Sequence, residues 1–205
     1  GQMITQIEAM LALYPGDFTV DYNQRVATKG RYLAPLLKKG DVVLNDKEAD
    51  FMAVGKATGY MPTLFVWDKD PNSGKFEFLR VVTTLNLTDN TVYGKPLVIP
   101  VDKHDDVMAG KAVYYTLKLY GDNFLGIAYP LRDKSGQIVG ALAASTALSD
   151  ALTEMQTKYT SVHVGGNSGY LYLVAPDGTF LVHPPLQGTN SLELVGQYGR
   201  NFMQE

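Results

Sequence analysis

Apolar residues near the start of the chain recur at helical spacing before Pro15-Gly16. They are Ile4, Ile7, Met10 and Leu11. Positions three and four apart share one face of an α-helix, and a proline-glycine pair ends such a run. The pattern predicts an amphipathic helix over residues 3–13. The following stretch, from Asp17 to Asp50, is short and mixed, so strand fragments and short helices both fit it.

Two runs rich in β-branched and aromatic residues come next, at Met61 to Asp68 and at Lys75 to Leu85. Residues 70–74 between them read Asp-Pro-Asn-Ser-Gly, a composition typical of a turn. Strand-forming runs on either side of a short turn predict a β-hairpin.

Three further strand patterns follow, and short turns at Gly121-Asp122 and at residues 133–136 separate them. They are Lys111 to Tyr120, Asn123 to Arg132 and Ile138 to Ser145. The tight connections predict a meander of three neighbouring strands. Residues 104–109, before Gly110, fit one or two helical turns. Helices packed on an antiparallel sheet make an α+β architecture.

The last part of the chain predicts a helix and then a hairpin. Apolar residues at helical spacing run from Leu148 to Tyr159. Strand patterns at Gly169 to Val174 and at Thr179 to His183 enclose the turn at residues 176–178. We therefore expect a first module over residues 1–147 and the beginning of a second, incomplete module over residues 148–205.

Composition removes several classes of function. The 205 residues carry 18 basic and 21 acidic side chains, without the clustered basic patch that marks nucleic-acid binding. The absence of cysteine excludes disulfides, thiolate catalysis and cysteine-bound zinc. The longest strongly apolar stretch, Ile138 to Leu148, is too short to span a bilayer as a helix.

Catalytic and metal-binding patterns are weak. The three histidines lie far apart in sequence, and no pair has the spacing of a zinc site. They are His104, His163 and His183. The chain has no nucleophile elbow, and its glycine-rich stretch at residues 165–169 precedes a strand instead of opening a helix. We expect no catalytic residue, metal or cofactor; an enzyme would have to use ordinary acids such as Asp102, Asp105 and Asp106.

Three stretches carry a family resemblance. They are Tyr93-Gly94 with Ala109-Gly110-Lys111, Tyr129 to Gly140, and Gly169 to Pro184. Together, from about Phe18 onward, they resemble the extracytoplasmic Cache sensor domains of bacterial receptors. The order is similar to the fused arrangement of a Cache type 3 module followed by a Cache type 2 module. The resemblance implies a PAS-like fold, in which the N-terminal helix packs on a central antiparallel sheet.

The resemblance also implies a function. Cache domains serve methyl-accepting chemotaxis proteins and sensor kinases, so the expected role is the periplasmic or extracytoplasmic part of an inner-membrane receptor. It would bind a carboxylate or an amino acid and signal by a conformational shift. Its membrane segments would lie outside these 205 residues, and the full receptor could be a homodimer. The family often has an aromatic and then an acidic residue before Pro130, where this chain has Ala128 and Tyr129, so the ligand does not carry over.

Arg80, Thr83 and Thr84 are the first candidate ligand-binding residues, because related sensors place a basic group and hydroxyls against a carboxylate at the end of this β run. Arginine suits the task since its planar fork pairs both carboxylate oxygens. An excess of tyrosine, 13 in all, suggests further contacts. Alternation puts Tyr115 on one face of the meander and Tyr129 with Lys118 on the other, and a one-residue slip exchanges the faces. All three are therefore kept as candidates.

Other interpretations stay open. Each of these side chains also fits ordinary packing or a solvated surface position. A Cache-like module without its own ligand would instead dimerise or receive a partner protein, and would show a filled pocket and an exposed apolar patch.

Overall fold

A computed structural model describes residues 2–27, 33–84, 99–119, 121–151, 161–165, 170–174 and 180–183, and side chains within 3–27, 33–84, 99–117 and 121–151. The first half contains α1 (Gln2–Leu11), β1 (Phe18–Ala27), β2 (Leu33–Lys39), β3 (Val42–Val43), the 3-10 turn η1 (Leu44–Asp46), α2 (Glu48–Thr58), β4 (Met61–Lys69) and β5 (Phe76–Thr83). The rest contains the 3-10 turn η2 (Val101–Lys103), α3 (His104–Met108), β6 (Val113–Leu119), β7 (Asp122–Arg132), β8 (Ile138–Ala147), β9 (Ser161–Gly165), β10 (Tyr170–Val174) and β11 (Phe180–His183).

The strands form three sheets. The central sheet has five strands in the order β5-β4-β8-β7-β6. Two three-stranded sheets have the orders β1-β2-β3 and β11-β10-β9. The chain divides into two compact units, residues 1–113 with 127–145 and residues 114–126 with 146–205. The mixture of helices and antiparallel sheets confirms the predicted α+β class with an N-terminal helix.

In the first unit, α1 packs against one side of the central sheet. Met3, Ile7 and Met10 are buried, so the apolar stripe read from the sequence does face a core. A small cavity of about 10 Å³ lies between α1, α2 and this side of the sheet. It is formed by Met10, Leu11, Tyr14, Phe18, Lys39, Leu44, Phe51, Leu64 and Leu142. We call the side of the sheet that carries Leu64 and Leu142 the α1 face.

His104, the first residue of α3, packs on the opposite side of the sheet. The ring of His104 stands edge-on to Trp67 and Phe78, at 5.6 and 5.0 Å between centroids. Trp67 is an odd-numbered residue of β4 and Leu64 an even-numbered one, so their side chains point to opposite sides. We call this side the His104 face.

The end of α1 is tied to the β1-β2-β3 sheet by Lys39. Its Nζ donates a hydrogen bond to the Leu11 carbonyl oxygen and lies 5.1 Å from the centre of the Phe18 ring. The last carbonyls of a helix lack partners within it, so a lysine at that end satisfies one of them and interacts well with the helix dipole. Gly40 N also donates to Asp17 O at 3.0 Å, joining the two turns.

Local patterns are reproduced closely. The helix at residues 3–13, the β4–β5 hairpin, the strands β6 to β8 and the helical turn at residue 104 are all present, with α1 ending at Leu11. The stretch from Asp17 to Asp50 contains three strands, η1 and the first turn of α2. Of the predicted helix at residues 148–159, residues 148–151 are helical and the rest lie outside the described part of the chain. The sequence did not predict α2 as a helix, nor β9.

Candidate ligand-binding site

A β-bulge in β5 decides which side chains share the His104 face. Thr83 pairs with Thr63 and Val82 with Leu64, but the next pair is Arg80 with Phe65, so Val81 is an extra residue. An extra residue in one strand shifts the alternation of side chains beyond it. Arg80 and Thr83, three residues apart, therefore lie on the same side of the sheet.

The hydroxyl groups beside Arg80 form a pair. The Oγ1 atoms of Thr63 and Thr83 are 3.2 Å apart, which confirms that both side chains point to one side. Arg80 is only 5% exposed, and both threonines are buried. A guanidinium at this depth is costly unless hydrogen bonds or an anion satisfy it. The structure thus brings a buried cation and two hydroxyls together on one face.

Thr84 makes two hydrogen bonds to the backbone, and its contact with a ligand stays a prediction. Its hydroxyl donates to the Pro62 carbonyl oxygen at 2.8 Å, and its backbone N–H donates to the same oxygen at 3.2 Å. Thr84 directly follows Thr83, so alternation turns its side chain to the opposite side, the α1 side. Thr84 is engaged with the backbone there and is separated from Arg80 and Thr83.

Aromatic rings continue the His104 face beyond Arg80. Phe78 lies 6.3 Å from Phe65 in an edge-on arrangement and 4.7 Å from Trp67 in a tilted one. Trp67 also stacks at 6.2 Å on Phe76, which is 58% exposed. His104 Nε2 lies 2.7 Å from the Ile99 carbonyl oxygen, so the ring is held by the backbone. One side of Arg80 is therefore polar and the other aromatic.

The neighbouring strand contributes small side chains to the same face. Ala143 pairs with Thr63 and Ala141 with Phe65, whereas Leu142 pairs with Leu64 on the α1 face. Gly140 allows the close approach of β8, because a Cβ there would meet the Phe65 carbonyl oxygen. Both alanines are buried. β8 therefore adds little side-chain volume to this face.

Tyr115 belongs to the second unit and lies over a glycine. A Cβ at Gly126 would be 2.5 Å from the Tyr115 ring, so the ring occupies the space that a side chain would need. Complete burial raises the pKa of the Tyr115 hydroxyl, because desolvation disfavours its ionised form. Tyr115 therefore shares a face with Gly126, and by alternation Tyr129 lies on the opposite side of β7.

For the other two candidates, Tyr129 and Lys118, the structure gives the strand position but no side-chain contact. Tyr129 is half-buried in β7, and Lys118 lies on β6 with its side chain outside the described residues. Residues 113–116 of β6 are all buried, on both faces of the strand. Whether Tyr115, Lys118 and Tyr129 contact a ligand stays a prediction.

The stretch Pro-Leu-Arg-Asp at residues 130–133 leads into the turn that the composition of residues 133–136 indicated. The Asp133 carboxylate accepts from Ser135 Oγ at 2.6 Å, Ser135 N at 2.9 Å and Gln137 N at 3.0 Å. The Ser135 hydroxyl and then these backbone donors lower the pKa of Asp133. Arg132 donates to the carbonyl oxygens of Gly136 and Gly110. These side chains hold two turns together and are not available to a ligand.

Within the described residues, no three histidine or acidic side chains are close enough to hold a metal ion. His104 packs against aromatic rings, and Asp105 and Asp106 are exposed on α3. His163 and His183 lie on β9 and β11, in register with Tyr172 and Leu171.

Sequence reasoning missed Thr63, Phe65, Trp67 and Phe78 as members of the site. Their role depends on the pairing of β4 with β5, which brings them beside Arg80 and Thr83. One signal was present: Trp67 is the only tryptophan of the chain and stands in a predicted strand. A large amphipathic ring in such a position often contributes to a binding surface.

The sequence matches the family described as the Cache 3/Cache 2 fusion domain over residues 2–205. Neither the curated proteins nor the solved structures contain a match. No helix in the described ranges has the length and apolar character needed to cross a membrane. Cache domains are extracytoplasmic sensor modules, not catalytic ones, and bind small molecules. Because the match extends over nearly every residue, the chain belongs to the Cache 3/Cache 2 fusion domain family.

Proposed function

We propose that this chain is the ligand-binding region of a bacterial transmembrane receptor, a methyl-accepting chemotaxis protein or a sensor kinase. It binds a small organic acid or an amino acid on the His104 face of the first unit. The observation that carries the proposal is the buried Arg80 beside the hydroxyls of Thr63 and Thr83. A guanidinium pairs both oxygens of a carboxylate, and low exposure strengthens the charge-assisted hydrogen bonds.

The signal is a population shift between two arrangements of the same unit. A ligand that binds one arrangement more tightly increases its population. Helix α1 packs on the other face of the sheet that carries Arg80, and Lys39 fixes its C-terminal end. A change in the packing of β4 and β8 therefore alters the surface on which α1 rests, and α1 transmits it.

A thermal-shift screen of carboxylates and amino acids tests the proposal. Binding to the native state alone stabilises it by about 2.7 kcal/mol at a ligand concentration one hundred times Kd. We expect at least one carboxylate to raise Tm, Arg80→Met to remove the shift and Arg80→Lys to weaken it. Lys69→Met is the matched control, because Lys69 is an exposed cation on the same face of β4. A broad library that leaves Tm unchanged would refute the proposal.

A second candidate function is an interaction module that dimerises or receives a partner protein. The exposed apolar residues Phe76 and Val101, 58% and 76% exposed, favour it. Sedimentation analysis of the wild type and of Phe76→Ser would then show an assembly that the substitution disrupts. A monomer at all concentrations would exclude self-association.

A further inference from the structure

Arg80 lies between two chemically different halves of the His104 face. Along β4 and β5 the paired residues are Thr63 with Thr83, Phe65 with Arg80, and Trp67 with Phe78. Successive residues on one face of a strand are about 7 Å apart. A carboxylate on Arg80 would thus have hydroxyls on one side and the Trp67–Phe78 pair at about that distance on the other.

The rings form an angled wall. Trp67 and Phe78 are inclined by 57° at 4.7 Å, and Phe65 stands at 77° to Phe78. His104 is nearly perpendicular to both, at 90° to Trp67 and 87° to Phe78. Rings set at such angles offer both faces and edges to a neighbour, and a flat aromatic group makes favourable offset or edge-on contacts with them.

The charged side chains on the His104 face restrict the chemical class of the ligand further. Among the described residues of β4, β5 and β8 on this face, Arg80 is the only buried charged side chain. A second carboxylate or an ammonium group placed toward the rings would lose its hydration without a buried charged partner on these three strands. The face therefore favours one negative charge on an apolar body over a dicarboxylate or an amino acid.

We propose, building on the function proposed above, that the ligand is an aromatic monocarboxylate. Its carboxylate pairs with Arg80, and its ring lies against Trp67 and Phe78, on the face to which β8 contributes the short side chains of Ala141 and Ala143. An aliphatic acid of the same size makes the ion pair but not the ring contacts, so it binds more weakly.

The only tryptophan provides the readout, because Trp67 itself lies in the wall. The full chain is titrated with benzoate, its saturated analogue cyclohexanecarboxylate, its neutral analogue benzamide, and succinate. Trp67 fluorescence emission and Tm are measured in each titration. We expect benzoate to bind about tenfold more tightly than cyclohexanecarboxylate, which is about 1.4 kcal/mol. Benzamide and succinate should bind more weakly still.

Two phenylalanine-to-leucine substitutions, one on each side of the sheet, test the ring contacts. Phe78→Leu should bring the benzoate to cyclohexanecarboxylate ratio close to one while carboxylate binding persists. Phe18→Leu, the same change beside α1 on the other side of the sheet, should leave the ratio unchanged. The ratio for the wild type needs no variant, so it decides the question even if Phe78→Leu folds poorly.

The outcomes distinguish a failure of the aromatic preference from a failure of the proposed acid-sensing function. Cyclohexanecarboxylate or succinate binding as tightly as benzoate overturns the aromatic preference and leaves the acid sensor standing. A ratio that Phe78→Leu does not change also overturns it. If neither these acids nor the wider library bind, the proposed function itself fails.

Discussion

Two glycines of the central sheet occupy positions where a methyl group would meet a neighbour. At Gly140 the added atom would meet the Phe65 carbonyl oxygen, and at Gly126 it would meet the Tyr115 ring. Backbone cannot move without disturbing the β4–β8 ladder, whereas a ring can turn. The two sites therefore test backbone packing and side-chain packing separately.

We expect Gly140→Ala to destabilise the fold by about 3 kcal/mol and Gly126→Ala by about 1 kcal/mol, the range typical of overpacking. Denaturant unfolding measures both values. In the double variant Tyr115→Leu with Gly126→Ala, the smaller side chain should restore most of the loss. Equal costs at the two glycines would contradict the difference in their neighbours.

Glu77 gives a prediction about pH. Burial, and then the nearby carboxyl of Asp70, raise the pKa of Glu77 above its ordinary value of 4.5. A raised pKa in the folded state means that folding takes up a proton, so this stability is lost as pH rises above 4.5 through the folded value. Glu77→Gln should therefore raise Tm at pH 7 and flatten the dependence of Tm on pH just above 4.5. Glu8→Gln, an exposed carboxylate on α1, is the control and should change neither.

At the scale of elements, Lys39 joins the end of α1 to β2. Lys39 is partly buried, and desolvation lowers the pKa of its amine. Its hydrogen bond to Leu11 nevertheless holds the helix end against the sheet. The close approach of Gly16 to Gly40, where a Cβ would lie 2.7 Å from the Gly40 Cα, adds a backbone contact beside it.

We expect Lys39→Met to lower stability by about 1 kcal/mol, because it removes the helix-end hydrogen bond while keeping most of the packing. Hydrogen exchange should accelerate at the last amides of α1 more than elsewhere. Lys38→Met, in the same strand, should leave the exchange of α1 unchanged. Uniform acceleration across the sheet would contradict a local role for Lys39.

The element scale also shows what sequence can predict. Hairpins, turns and α1 follow from patterns within about fifteen residues, and these were predicted well. The pairing of β4 with β8 joins residues about eighty positions apart, and no local pattern indicates it. Arg80 and Thr83 were predicted individually, but only the bulge at Val81 places them together and separates Thr84.

At the scale of the whole molecule, residues 1–147 contain all five strands of the central sheet together with α1, α2 and α3. We propose that this segment is the ligand-binding module and that residues 148–205 belong to a second one. A five-stranded sheet packed against helices can bury enough apolar surface to fold independently.

We expect residues 1–147, expressed alone, to unfold cooperatively and to keep the Tm shift produced by the carboxylate found in the screen. Residues 1–119 are the control, because they lack β7 and β8 and should not fold. A segment 1–147 that shows no cooperative transition would mean that residues 148–205 are part of the same folding unit.

The extra residue in β5 makes the register of this strand part of the candidate site. If Val81 paired with Phe65 in a regular ladder, Arg80 would pair with Val66 and turn to the α1 face, away from Thr83. Deleting Val81 would instead leave Arg80 two residues before Thr83, where alternation keeps both side chains on the His104 face. The bulge residue itself can thus be lost, whereas a slip of one residue would move the cation to the other side of the sheet while every side chain kept its identity.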